Sequence, residues 1–156
     1  MQYFLRTIDE YVMVAVVQSQ WSILKKQMAQ IDYFEELITL HNAYLDTILE
    51  KCFLARARDK RLQITLNQIF EFVFKLHFIV RSHGADVCRE GQAKQELLNI
   101  SNSFRDYSRF MYQIVRNLAQ KGQFKELFIR LDFNKFYQNT ATNPIQGQAL
   151  ARNAAH

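Results

Sequence analysis

The chain has 156 residues, 49% apolar and 13% aromatic, with only four Gly and one Pro; this is enough for one domain with a real core, excludes extensive disorder, and implies few connections between long helices. Cys52 and Cys88 are too few and too isolated for a disulfide framework or a zinc ribbon. A net charge of +5 with a pI near 9.3 favours an acidic partner, whether nucleic acid, an anionic membrane surface or an acidic protein, without choosing among them.

Asp9 and Glu10 interrupt the apolar run that a signal peptide needs. Every uninterrupted apolar run falls short of the ~20 residues of a membrane span. We therefore expect an intracellular, soluble protein.

The apolar spacing predicts a first helix over 2–29. Ile8, Val12, Ala15 and Ser19 share one side, and Tyr11, Val14, Gln18, Trp21, Leu24 and Met28 another. Only a narrow polar stripe remains, so contact from more than one direction is expected. At the standard rise it is about 40 Å long.

A second helix follows over 32–54. Phe34, Leu37, Ile38, His41, Tyr44, Leu45, Ile48, Leu49, Cys52 and Phe53 recur at alternating three- and four-residue steps, the period of one helical face. Asp32 is its expected N-cap, with Glu35 completing a capping box. We expect this face to lie on a core, with Cys52 as a small buried hydrophobe, and the rest of the chain to be organised around it.

Arg56 to Arg61 is a charged break, read either as a solvated turn or as a phosphate site. The third helix, 62–83, places Leu62, Leu66, Ile69, Phe70, Val73, Phe74, His77 and Val80 on its buried side, with Gly84 as a left-handed stop. After a polar connection over 85–92, the fourth helix carries the most regular seam. Leu97, Phe104, Met111 and Leu118 stand seven residues apart, with Ile100, Tyr107 and Ile114 interleaved. Packing within the chain is the expected use of that seam, and Gly122 closes it. A short fifth helix over 124–131 leads into Asp132-Phe133-Asn134-Lys135-Phe136-Tyr137, whose aromatics are expected to tuck back on the bundle. The fold class is thus all-α: four long helices plus a short C-terminal helix over 1–137, then a flexible tail over 138–156.

Chemistry is sparse. No His has a Glu three residues before it, as a di-metal bundle requires. His41 and His77 lie on apolar faces and are expected to be core histidines, while His83 favours a helix C-terminus. No phosphate-binding glycine loop, C-x-x-C or H-E-x-x-H occurs, and Ser101, Ser103 and Ser108 lack a nucleophile elbow. We expect no enzyme, no metal and no cofactor. What remains is more apolar surface than five helices hide, the mark of an interaction module or a piece of a larger protein.

Three segments together carry a resemblance. Phe4, Leu5, Tyr11, Val12, Val16, Val17 and Trp21 in the first helix, His41, Tyr44, Leu45, Asp46, Ile48 and Cys52 in the second, and the ending Arg130 to Tyr137, RLDFNKFY, follow in order and at compatible spacing. Over 2–137 the chain resembles the distal part of the C-terminal domain of the gamma-tubulin complex component family. The resemblance implies a non-catalytic module that holds gamma-tubulin as a template for microtubule nucleation. It further implies location at the cytoskeleton and a microtubule organising centre, centrosome or spindle pole, and contact with other complex components through regions absent from this chain.

Arg130, Asp132 and Asn134, in the matching ending, are candidate contacts; the alternative is that Asp132 and Asn134 cap the last turn while Phe133 and Phe136 are core. Arg109, Arg116 and Lys121, on the polar side of the fourth helix, are further candidates against the reading of a solvated face. Neither nucleic acid nor membrane is expected as a partner. A basic helical nucleic-acid-binding module, resting on the pI and Arg56 to Arg61, is the alternative function.

Overall fold

In the computed structural model, which describes residues 1–54, 60–84, 91–133 and 137 (His83 by its backbone alone), every regular element among the described residues is helical. The first helix is continuous but changes type: α1 (Gln2–Glu10), a π-helical segment (Tyr11–Gln18) and α2 (Ser19–Met28). Then come α3 (Phe34–Lys51), α4 (Lys60–His83), α5 (Gly91–Gln120) and α6 (Lys125–Leu131). The helical architecture read from the periodicity is therefore present. The expected tail over 138–156 and most of the Arg56 to Arg61 break lie outside the described residues.

The hub is α5, not the second helix. Its seam buries Ile100, Phe104, Met111, Ile114 and Leu118, and the adjoining Tyr112 and Val115 widen the buried stripe. Met111 and Val115 are fully buried, each worth about 1.5–3 kcal/mol of apolar burial. Antiparallel α4 lies along one side, where Phe72 meets Tyr107 edge-on at 5.3 Å. On the other side α1 packs Phe4 against Phe104, 5.8 Å apart and nearly perpendicular, and α6 inserts Leu127 and Leu131, both fully buried.

Two turns set that arrangement. At the end of α5, Gln123 N–H donates to Leu118 O and Gly122 N–H to Ala119 O, with Gly122 at φ +87°: this double closure needs a left-handed residue, which glycine supplies without a Cβ clash. Gly84, at φ +54°, ends α4 as its position predicts.

The first helix departs from a uniform 3.6-residue period. Its buried residues are Phe4, Thr7, Ile8, Tyr11, Val16 and Leu24, and the step from Tyr11 to Val16 is one π turn. The inward face moves on by a residue there. Of the second predicted side, Tyr11 and Leu24 are buried, whereas Val14, Trp21 and Met28 are exposed.

The second helix departs further. No residue of α3 is buried; it pairs with α2 through Trp21 and Tyr44, 6.2 Å between rings, and with the π segment, leaving Phe34, Ile38, Leu45 and Leu49 exposed. Cys52 is half-buried, with its thiol pushed up by that burial, and only Phe53 just past the helix is inside. The capping box does not form: Tyr33, extended at φ −117° and ψ 140°, is the N-cap residue and no side chain caps the turn. In α4 the inward residues are Leu62, Thr65, Leu66, Ile69 and Ile79, while Phe74, His77 and Val80 face solvent. Neither His41 nor His77 is a core histidine; both are exposed.

Candidate partner-binding surface

The matching ending is assembled where α6 leaves the bundle beside α1 and α5. Leu127 and Leu131 point inward, so the intervening Ile129 points outward; Phe133, four residues on and two past the end of α6, is turned to solvent as well. They are 64% and 84% exposed. Phe133 is thus not the core plug that its hydropathy suggests. Arg130 stands between them at the edge.

Two contacts with α1 hold Arg130. Its Nη1 lies 3.9 Å from Glu10 Oε2, with both side chains partly solvated, and its backbone carbonyl accepts from Tyr3 Oη at 3.1 Å. Glu10 also takes Arg6 Nε at 2.7 Å, which raises the Arg6 pKa first through the hydrogen bond and then through charge. Solvent-exposed pairs of this kind add little to stability, so they orient Arg130 more than they hold the fold together, and its side chain stays partly solvated.

Asp132 is held differently. Its Oδ1 accepts from Tyr112 Oη at 2.8 Å, and the Tyr112 ring stacks on Tyr137 at 5.1 Å and 19°. Tyr137 is buried, as the plug reading expected of it. Burial pushes its hydroxyl pKa up, while a hydrogen bond with Ser108 and the charge of Arg109 act the other way. The Asp132 carboxylate therefore faces the α5 aromatics, neither simply capping a turn nor standing free.

The structure brings Asp132 and Arg109 to the Tyr112–Tyr137 stack, while Arg130 is held by α1. Arg109 is half-buried, and its Nε is a buried donor without an acceptor among the described residues. Arg116, two turns along α5, and Lys121, past its end, are exposed and belong to a separate stretch of the α5 surface. Asn134 lies outside the described residues. Sequence reasoning missed Glu10, Tyr3 and Tyr112. Arg6 and Glu10 at i, i+4 were a local signal for one pair, whereas nothing local joins residue 10 to residue 130.

No group of three His, Cys, Asp or Glu among the described residues is placed to hold a metal. No helix among them is long and apolar enough to cross a membrane.

Residues 1–137 match the family model described as gamma tubulin complex component C-terminal. Gamma-tubulin complex component 4 of Arabidopsis thaliana is 27% identical over 146 residues, covering 90% of this chain and 18% of the relative. Gamma-tubulin complex component 4 of Homo sapiens is 26% identical over 140 residues, 88% of this chain and 20% of the relative. Gamma-tubulin complex component 6 of Homo sapiens is 22% identical over 147 residues, 89% of this chain and 8% of the relative. The chain thus spans a fifth or less of the length of these curated relatives. No solved structure matches.

Proposed function

The chain belongs to the gamma-tubulin complex component C-terminal family, and from that membership we propose that it is a gamma-tubulin-binding, non-catalytic module of a microtubule-nucleating complex. The observation that carries the reading is the extent of the match, which takes in all four long helices and the ending that bears Arg130 and Asp132. Its mechanism is templating: the helical body holds gamma-tubulin in a fixed orientation for longitudinal addition of tubulin, and no bond is made or broken by this chain.

The geometry supports the outward edge of α6 as the contact. Ile129 and Phe133 offer apolar area to bury, and Arg130 between them offers a charge-assisted hydrogen bond to an acidic surface. Arg109, Arg116 and Lys121 add positive charge along α5, which steers an acidic partner without fixing its affinity. The net charge of +5 acts in the same sense. Other complex components are partners through regions that this chain lacks, and the place of action is the microtubule organising centre.

A pull-down of purified gamma-tubulin tests the reading, with this chain beside a longer protein that carries the region preceding it in its relatives. Capture by both places the contact within this chain. Capture by the longer protein alone makes this chain a supporting half of the site, and capture by neither overturns the proposal.

A further inference from the structure

A cavity of about 340 Å³ opens where the π segment, the end of α3, the start of α4 and the α5–α6 turn converge. Tyr11, Ala15 and Val16 line it from the π segment, Phe53 and Leu62 from the α3–α4 side, and Phe124 from the turn.

Three uncommon backbone states meet at this cavity. A π-helical segment is rare and concentrates at functional sites. Phe53 and Phe124 hold φ at +64° and +53°, the positive-φ residues other than glycine among those described. A bulky residue in the left-handed region costs of order ~1–3 kcal/mol and persists only where its surroundings fix it. At Phe53 the left-handed state belongs to the turn that closes α3, where Leu54 N–H donates to Leu49 O and Phe53 N–H to Glu50 O; both residues turn a ring to the same void.

The rings form a row. Tyr11 and Phe53 are 6.0 Å apart at 25°, and Phe53 and Phe124 are 5.1 Å apart at 32°. Nearly parallel rings beside an open volume offer a face on which a further ring can stack. At the rim stand Glu50 and Glu126 against Lys51 and Lys125; the formal charges cancel, so the mouth favours a neutral group over an ion. The Tyr11 hydroxyl already donates to Lys51 O at 3.1 Å, so the occupant need not accept from it.

We propose that this cavity binds a neutral planar aromatic group of indole size. An apolar cavity of about 150 Å³ holds benzene, so the larger volume suits a fused two-ring system, and it falls in the ~300–1,000 Å³ range of ligand sites. Such a group has two sources: a free small aromatic molecule, or an aromatic side chain from the region that precedes this chain in its relatives.

The test titrates indole into the full chain, followed by nitrogen–proton correlation NMR. Saturable shifts centred on the amides of Ala15, Val16, Phe53 and Phe124 are expected, and their loss in Ala15→Phe, which fills the cavity. Non-saturable shifts, or unchanged saturation in a folded Ala15→Phe, overturn the proposal. The unsubstituted chain carries a second readout: nuclear Overhauser contacts from indole to the Phe53 and Phe124 rings at saturation, with contacts elsewhere overturning it. Repeating the titration on the longer protein separates the sources. Retained indole binding there marks a free-ligand site, whereas the same amides already displaced and indole excluded mark an internal side chain.

Discussion

Tyr112 donates its hydroxyl hydrogen bond to Asp132 Oδ1 at 2.8 Å, and so draws the acidic member of the Arg-Leu-Asp-Phe ending toward the bundle while Phe133 is left 84% exposed. The ending is inverted relative to its hydropathy. It leaves an apolar outward surface, Ile129 on α6 and Phe133 just past its end.

Tyr112→Phe keeps the ring stacked on Tyr137 and Phe128 but leaves Asp132 without this donor. Hydrogen bonds to charged groups contribute about 1.5–3 kcal/mol when buried; Asp132 is half-exposed, and water recovers part of the loss. We expect a destabilisation of about 1 kcal/mol, read as a lower urea midpoint with unchanged slope. An unchanged midpoint would mean that the bond only substitutes for a water.

Arg130→Glu is expected to weaken gamma-tubulin capture without loss of helicity. The substitution also sets two carboxylates side by side at Glu10, which by itself could disturb α6. The double exchange, Arg130→Glu with Glu10→Arg, restores an opposite-charge pair at that spot. If Arg130 is a contact, capture stays weak in the double variant; recovery would assign Arg130 to positioning α6 and remove it from the interface.

Ile129→Ser on α6 and Phe133→Ser two residues past its end separate surface from core in the same short segment. Both side chains are exposed, so stability should change by no more than about 0.5 kcal/mol, while capture of gamma-tubulin falls. Leu131→Ala is the contrast: its side chain is fully buried, and truncation should cost about 2–5 kcal/mol. Equal thermal shifts for Phe133→Ser and Leu131→Ala would contradict the inward and outward faces assigned to α6.

How much of this was legible from the sequence depends on whether the signal was local. The α5 seam was readable because seven-residue spacing over a whole helix fixes one face whatever packs on it. The glycine stops were readable because Gly122 supplies a conformation that other residues adopt only under strain. For α3 the periodicity reported an apolar face but not its cover: Phe34, Ile38, Leu45 and Leu49 satisfy the pattern and remain exposed. The inward step from Tyr11 to Val16 escaped a 3.6-residue reading because the extra residue of a π turn is not encoded in hydropathy. At the candidate surface, Arg130 and Asp132 could be named from the resemblance alone, but their holders, Glu10 and Tyr112, are set by tertiary packing that leaves no local trace.

Alkaline pH is expected to destabilise the fold through two buried hydroxyls. Tyr11 and Tyr137 both have hydroxyl pKa values held above the ordinary 10.0, chiefly because burial opposes the charged phenolate; Cys52 and Glu126 add to the effect at Tyr11, while Ser108 and Arg109 reduce it at Tyr137. In the unfolded chain each hydroxyl ionises near 10.0, whereas in the folded chain it keeps its proton to higher pH. Above that point the unfolded state binds fewer protons than the folded one, so stability falls as pH rises. The tyrosine contribution is fully present below pH 10.0 and is lost as pH climbs toward the folded values, by up to about 1.4 kcal/mol per pH unit for each tyrosine. Tyr11→Phe removes one of these two slopes and also the hydrogen bond to Lys51 O, which costs about 1 kcal/mol at neutral pH. Urea midpoints measured below and above pH 10.0 should therefore fall less steeply in Tyr11→Phe than in the parent, from a lower starting value; parallel curves would mean that the Tyr11 hydroxyl does not titrate with unfolding.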